Sequence, residues 1–579
     1  MSKPAFRPYL VWSLLASLLI VPAWLALMMF TFPLDPETSM INRILLGLVL
    51  PFTLTVLAGC ARYAQVVNAP ATATQAANPA QADPQSRDYV LEIIGVGVTY
   101  DKFRQRMLWE ALRKGNAFTL IRDMDPKKQE WMDTDKIGRS GGRALDALEN
   151  GAKYLPTYWG IPVFSAEATS HNPSIPDDEP NSPRCGLACS VENTGMMFHI
   201  PIPSGRRLGE HPDRVLDDVF AFFDTNPDVP FIIVDSRENP RLRDVLRVPG
   251  TQPMLRTGRY TPELADSTAL FVLARRERAE PLRRFAFDDP PNKGGIAREL
   301  WEMHLHLSYA LPNPRKAGNA KKTMTLEEVA SRPLSRDESS GIKDFAKRDL
   351  RADEWLRAGA IFAKRPSVTG NVVSMLNPLK PRIPNGWQPT PWFPIPWNKE
   401  QLEAFDSRPT LGYLHRPTWV KLTDDDGKPL IRRDDRTKAL SQGWQQALQT
   451  LPETDRQVGP ARVVIATGGD TEKLLTLHGA LNQYHEQGGP AYDPAKATQF
   501  IDTDKRLGNT GPATLFMQMA IGTMGSYYEG GTSAAINLRD DKEASIVMIT
   551  PPPEAKRKSQ GDYPWRHKGS LAIDPANYN

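Results

Sequence analysis

Ser140 offers the first opening for chemistry. It sits in Gly138-Arg-Ser140-Gly-Gly142, which fits the G-x-S-x-G pattern of a nucleophile elbow, and helix-like sequence follows from Ala144 to Asn150. An elbow needs an apolar strand running straight into it, whereas Trp131 to Ile137 is charged. The stretch therefore reads as a glycine-rich loop capping a helix, with Ser140 kept as the nucleophile of an alternative, enzymatic reading: a hydrolase or acyltransferase. Glu302, His304 and His306 alternate, so on a strand all three would face one way and could ligate a metal. On a helix from Ile296 to Tyr309 residues two apart do not meet, and that reading is preferred. Cys185 and Cys189 lie in a loop rich in Asn, Pro and Ser. No second Cys/His pair stands at matching spacing, so they read as plain thiols. Asp424-Asp-Asp-Gly427 resembles part of a calcium loop, but Leu422 holds a ligand position and no bidentate Glu follows. It reads as a turn. Gly468-Gly469-Asp470 could cap a helix and hold an anion, though a plain strand-to-helix turn is preferred. There is no Walker A loop, no G-x-G-x-x-G after a strand and no H-E-x-x-H. No catalytic set, cofactor or metal is assigned.

The elements that would position these residues alternate between strand and helix. Tyr89 to Val98 is a near-continuous apolar run, as in a strand buried on both faces. Helical spacing follows in Phe103, Met107, Leu108, Ala111 and Leu112. Tyr158 to Phe164 and Phe231 to Asp235 are further strands, the second preceded by a helix from Asp213 to Phe223 with Val215, Val219, Phe220 and Phe223 on its apolar face. A hairpin runs from Thr418 to Thr423 and Pro429 to Arg432, turning at Asp424 to Gly427. Arg462 to Ala466 is a buried strand, and Gly511-Pro512 starts a helix with Leu515, Phe516, Met519 and Ala520 inward. A last hairpin pairs Ala534 to Leu538 with Ser545 to Thr550 around Asp540-Asp541. This alternation predicts an α/β body with a mixed sheet.

From Ser331 to Asn398 the chain is basic and proline-rich without sustained period, and it ends in a strip containing Trp387, Trp392, Phe393 and Trp397. Tryptophan interleaved with proline suits an extended, preordered segment, and tryptophan dominates binding hot spots. These four residues are the candidate partner-binding set. The competing reading, slightly preferred for the strip as a whole, is that it packs across its own domain with at least one tryptophan accessible.

Ahead of the body, Tyr9 to Phe32 and Ile44 to Ala61 carry no charge, and the first is long enough to cross ~30 Å of hydrocarbon. Lys3 and Arg7 precede the first run, Asp35 and Glu37 lie in the loop, and Arg62 follows. Positive residues stay inside, which predicts an inner-membrane hairpin with the body in the cytoplasm. The rival is a lipoprotein signal at Leu57-Ala58-Gly59-Cys60, lipidated at Cys60. Residues 65–88, rich in Ala, Pro and Gln, cannot bury a core and read as a disordered tether. The expected organisation is 1–64 hairpin (9–32 and 44–61), 65–88 tether, 89–330 N-terminal α/β domain, 331–400 Pro/Trp-rich bridging segment, and 401–579 C-terminal α/β domain. A net charge of +4 over 579 residues gives no field to draw nucleic acid. The 52 prolines, about 9% against the usual ~5%, signal long ordered loops.

Two resemblances add to this. Ile93-Ile-Gly-Val-Gly-Val98, Leu507-Gly-Asn-Thr-Gly-Pro-Ala513 and Gly530-Gly-Thr-Ser-Ala534 are similar to segments of the thiolase-like (ketosynthase) fold. That likeness implies a body of two related halves, with Asn509 standing where a catalytic histidine would be, so an enzyme of this kind would be dead. More of the chain resembles the type VI lipase adapter proteins, through Glu92 to Tyr100, Phe198 to Gly205, Phe231 to Ser236, Trp387 to Trp397 and Leu411 to Pro417. That family implies a non-catalytic role: binding a phospholipase effector in the producing cell and helping to load it onto the secretion spike protein.

Overall fold

Apolar β-branched residues concentrate in short runs, and most of those runs become strands of one large mixed sheet. The computed structural model describes residues 89–168 apart from a few positions, 184–187, 198–203, 211–288, 325–331, 350–365, 383–566 and isolated positions between 303 and 307. The hairpin at 9–32 and 44–61, the tether and Cys60 lie outside the described residues. Among the described residues no helix is long and apolar enough to cross a membrane.

The chain divides into two compact units. One comprises 1–78, 173–176 and 299–351, and the other the remainder. In the first, the short helix Leu326–Ser331 buries Leu326, Val329 and Ala330, and Thr325 and Glu328 cap it reciprocally.

The second unit opens with β1 (Leu91–Tyr100), α1 (Arg106–Lys114), α2 (Asp133–Ala152), β2 (Ile161–Ala166), β3 (Arg184–Leu187), β4 (Phe198–Pro203), α3 (Val215–Thr225), β5 (Phe231–Glu238) and β6 (Ser267–Ala274). After α4 (Ala352–Phe362) and α5 (Lys399–Asp406) come β7 (Gly412–Leu414), β8 (Thr418–Lys421), α6 (Arg433–Gln449), β9 (Arg462–Ala466), α7 (Thr471–Glu486), β10 (Phe500–Asp502), α8 (Thr514–Glu529), β11 (Ser533–Asn537) and β12 (Glu543–Thr550). Their order across the sheet is β3-β4-β2-β5-β6-β1-β7-β12-β11-β9-β10, with β8 also on β12.

That order contains a repeat. β4-β2-β5-β6-β1 is joined parallel, parallel, antiparallel, antiparallel, and β10-β9-β11-β12-β7 is joined the same way. Each half takes its strands in the same chain order. The halves meet where β1 runs antiparallel to β7, with Leu91 opposite Leu414 and Ile93 opposite Gly412. One sheet and one compact unit thus hold both halves.

Local sequence explains the closest packing. A Cβ on Gly97 would lie 1.7 Å from the Ala147 carbonyl oxygen, and one on Gly95 2.2 Å from that of Gly151. The two glycines of β1 therefore let α2 lie against the strand backbone. α8 is buried almost all round: it packs on β9, β11 and β12, and also touches β1, β6 and α1. The expected inward set Leu515, Phe516, Met519 and Ala520 is buried, and so are Met517, Gln518 and Met524. A helix between two layers loses its polar face.

Two expectations need correction. In α1 it is Trp109 that is buried with Leu108 and Leu112, while Met107 is exposed, because the helix starts only at Arg106 and Phe103 belongs to a short strand pairing with β1. The stretch read as lacking period contains α4. Its Trp355 stacks on Trp159 with centroids 4.6 Å apart, and each indole N–H donates to the other residue's carbonyl, at 3.0 and 2.7 Å.

Candidate functional site

The strand ends of the C-terminal half gather the residues that could do chemistry, since parallel strands deliver their carboxyl ends to one side. Thr467 and Gly468, just past β9, donate backbone N–H groups to the Asp504 carboxylate at 2.6 and 2.8 Å. The anion that this glycine turn could hold is thus the protein's own carboxylate. Asp470 caps α7 by accepting from Glu472 N and Lys473 N, so the plain strand-to-helix turn is what forms.

Beside it, Arg539 donates to Asn509 Oδ1 at 2.6 Å and to Thr514 Oγ1 at 2.9 Å. Gly511 N also donates to Asn509 Oδ1, at 2.9 Å. Gly511 has φ +50, and a Cβ there would fall 1.8 Å from Glu238 Oε2, so the start of α8 is pressed onto the end of β5. Glu238 is fully buried and bound by Arg243 through three hydrogen bonds. Burial still holds its carboxyl above the usual range, against the pull of Arg243. Thr514 Oγ1 donates to Gly511 O at 2.7 Å. Asn509 is therefore a double acceptor within a closed polar lock, and it has no basic nitrogen to give a nucleophile.

A second polar join lies between the loop before α3 and the final hairpin. Asp213 accepts from Asn537 Nδ2 at 2.9 Å and from the Ser545 hydroxyl. Burial pushes its carboxyl up to about 6, although both hydrogen bonds favour the charged form. Arg214 lies over the Trp419 ring at 4.2 Å and pairs with Glu543. His415, within the Leu411 to Pro417 stretch, is buried too. Its Nδ1 meets Thr450 O at 2.7 Å and its Nε2 meets Thr550 Oγ1 at 3.1 Å. Burial pulls the imidazole down to about 4, so it is neutral at pH 7. It ties strands to helices.

The remaining sequence candidates do not converge. Gly138–Gly142, with Ser140, lies inside α2, neither an elbow nor a capping loop. No apolar strand leads into it, because the strand before it is only Glu130–Trp131. His304 and His306 are helical, as preferred, and Glu302 lies outside the described residues. Cys185 falls in β3, and Cys189 lies outside. Among the described residues no group of three or more His, Cys, Asp or Glu gathers as a metal site. Asp424 to Gly427 is a turn, closed by Asp424 N donating to Lys428 O at 2.9 Å.

Three of the four aromatic residues of the strip fold against the protein's own body. Trp392, Phe393 and Trp397 are buried. Trp392 donates its indole N–H to Asn226 Oδ1 at 2.9 Å and meets Phe222 edge-on at 5.4 Å. Trp397 sits among Phe393, Phe405 and Phe231, with centroids 5.5, 5.2 and 6.4 Å away. Large apolar surface is more stable covered than hydrated. Only Trp387 stays half-exposed, edge-on to Phe285.

One open groove was missed. It lies between α6 and α7, holds about 420 Å³, and is lined by glutamines with Trp444 and Tyr484. The available signal was the lack of any charged residue from Ala439 to Pro452 in a surface helix.

Comparison with known proteins adds a family. Residues 89–257 match the model for the N-terminal region of type VI lipase adapter protein Tla3. Residues 411–551 match its C-terminal region, and together the two spans cover just over half of the chain. Among solved structures, the chain is similar to the ishigamide ketosynthase/chain length factor at 9% identity and TM-score 0.37, over 80% of this chain and 99% of that one. It is similar to ketosynthase twelve of the bacillaene polyketide synthase of Bacillus amyloliquefaciens at 8% and 0.36, over 80% and 76%. It is also similar to cerulenin-bound OleA of Xanthomonas campestris at 10% and 0.31, over 80% and 99%.

Proposed function

Because the chain belongs to the type VI lipase adapter family, we propose that it is a non-catalytic adapter that binds a phospholipase effector on the cytoplasmic side and promotes its loading onto the secretion spike. The observation that carries this reading is the match of residues 89–257 and 411–551 to the two regions of that family. The body works from the inner membrane, held by the hairpin at 9–32 and 44–61. The tether gives it reach, since an Ala/Pro/Gln chain of this length behaves as a flexible linker.

Co-expression of the full chain with a phospholipase of a type VI system tests this. The lipase should co-purify, and retention on the spike protein should rise when the adapter is present. Failure to retain any such lipase would overturn the reading, as would an esterase activity that Ser140→Ala abolishes. For the topology, alkaline phosphatase fused after Asn579 should be inactive. Activity there, or a fatty-acid label lost in Cys60→Ser, would replace the hairpin with the lipoprotein arrangement.

A further inference from the structure

The groove between α6 and α7 is lined by uncharged residues, with exposed Glu486 just outside its lining. Charged residues make up 24% of this chain, yet Ala439 to Pro452 has none, and Leu474 to Tyr484 has only the titratable His478. Amides line the groove: Gln442, Gln445 and Gln446 on α6, Gln483 on α7, and Gln487 just past its end. All five are exposed, and they line the groove of about 420 Å³. The aromatic part of its wall is Trp444 and Tyr484, 2% and 8% exposed, crossing edge-on at 5.6 Å.

The groove is organised. Ser441 Oγ donates to Gln483 Oε1 at 2.6 Å and Gln445 Nε2 to Gln487 Oε1 at 3.0 Å, tying the helices together. A carboxamide offers two donors and an acceptor with two lone pairs, so each of these amides keeps hydrogen-bonding capacity after its bond is made. The indole Nε1 of Trp444 is buried and has no hydrogen-bond partner. A buried N–H is seldom left so, because its lost hydration is not replaced.

We propose that this groove is the effector dock, and that it takes an extended, uncharged segment of the lipase. The backbone C=O and N–H groups of that segment exchange hydrogen bonds with the glutamine amides. A charged segment is disfavoured because it would lose water against a wall that offers no countercharge. Depletion of charged residues at the core of a contact patch is also the compositional mark of protein interfaces. This inference rests on the adapter reading and names its surface.

The test uses the full chain carrying Gln442→Glu, and separately Gln446→Arg, against the purified lipase by calorimetry. Overlapping synthetic peptides of that lipase serve as competitors. Each variant should weaken binding at least about tenfold, because an unpaired charge is desolvated in the contact, while its melting temperature stays at the parent value. An uncharged peptide should compete. Parent-like affinity in both variants would overturn the groove and leave the adapter reading standing. A parent chain that binds no lipase would sink the adapter reading, and the groove with it. If the variants turn a dimer into a monomer on size exclusion, the groove is a self-interface and the proposal falls.

Discussion

The tryptophan strip and the glutamine groove use composition in opposite ways. Three tryptophans and five prolines between Pro384 and Trp397 make the most conspicuous stretch of the sequence, and its aromatic side chains are mostly folded inward. Trp397 is 1% exposed and touches three phenylalanines. The groove between α6 and α7 is plain in sequence and open in structure. Aromatic density reports how strongly a segment needs covering, since an exposed patch of that size is rarely tolerated by a free protein. A surface that must stay soluble before its partner arrives is better built from neutral polar groups that hydrate cheaply.

The strongest way to break this contrast is through the strip. Trp397→Ala should lower unfolding free energy by about 3–5 kcal/mol, the usual loss for a large buried aromatic, read from the urea midpoint at unchanged slope. Trp355→Ala should behave alike, because it removes the stack on Trp159 and the indole bond to the Trp159 carbonyl. Lipase affinity per folded molecule should stay put in each. A variant that keeps its stability but loses the lipase would return the strip to the role of a dock.

Much of the fold was legible. Arg462 to Ala466 forms β9 with the expected ends, α3 buries the expected Val215, Val219, Phe220 and Phe223, and the final hairpin turns where Asp540-Asp541 predicts. These elements carry one clear period each. α4 was hidden because its buried face is made of Ala352, Trp355, Ala358, Gly359 and Phe362, mixing small residues with aromatics chosen to meet Trp159. A Cβ on Gly359 would lie 2.7 Å from that ring, a constraint visible only once the partner is placed. The polar lock was half legible: the segment around Asn509 stood out, but Glu238 and Arg539 reach it from 271 and 30 positions away. The groove needed the two helices side by side.

Acid offers a finer probe of the packed regions, because two buried groups oppose each other there. His415 is held near 4 in the folded state against an ordinary 6.5, so the stability it contributes is present above 6.5 and is lost as pH falls towards 4. Asp213 is held near 6 against an ordinary 3.8, so the folded state takes its proton first and gains stability as pH falls through 6. Each shift corresponds to roughly 3 kcal/mol. Between pH 6 and 4 the two largely offset. Asp213→Asn should therefore make stability fall more steeply on acidification, and His415→Gln should make it rise. Chemical denaturation at pH 4.5, 5.5 and 7 reads both slopes, and parallel slopes in the two variants would reject this pairing.

The smallest expected effect belongs to the groove. Its five glutamines have no charge to screen, so lipase affinity should change less than about twofold between roughly 0.05 and 0.5 M salt, a range over which the Debye length shrinks severalfold. A dock steered by ion pairs would weaken steeply over the same range. Gln442→Glu should sharpen the contrast from the other side. Exposed substitutions of this kind shift stability by at most about 0.5 kcal/mol, so the folded body should barely register them while the contact does. Binding that falls tenfold with added salt would place the dock on a charged surface elsewhere. The neutral groove would then be only the seam between two helices.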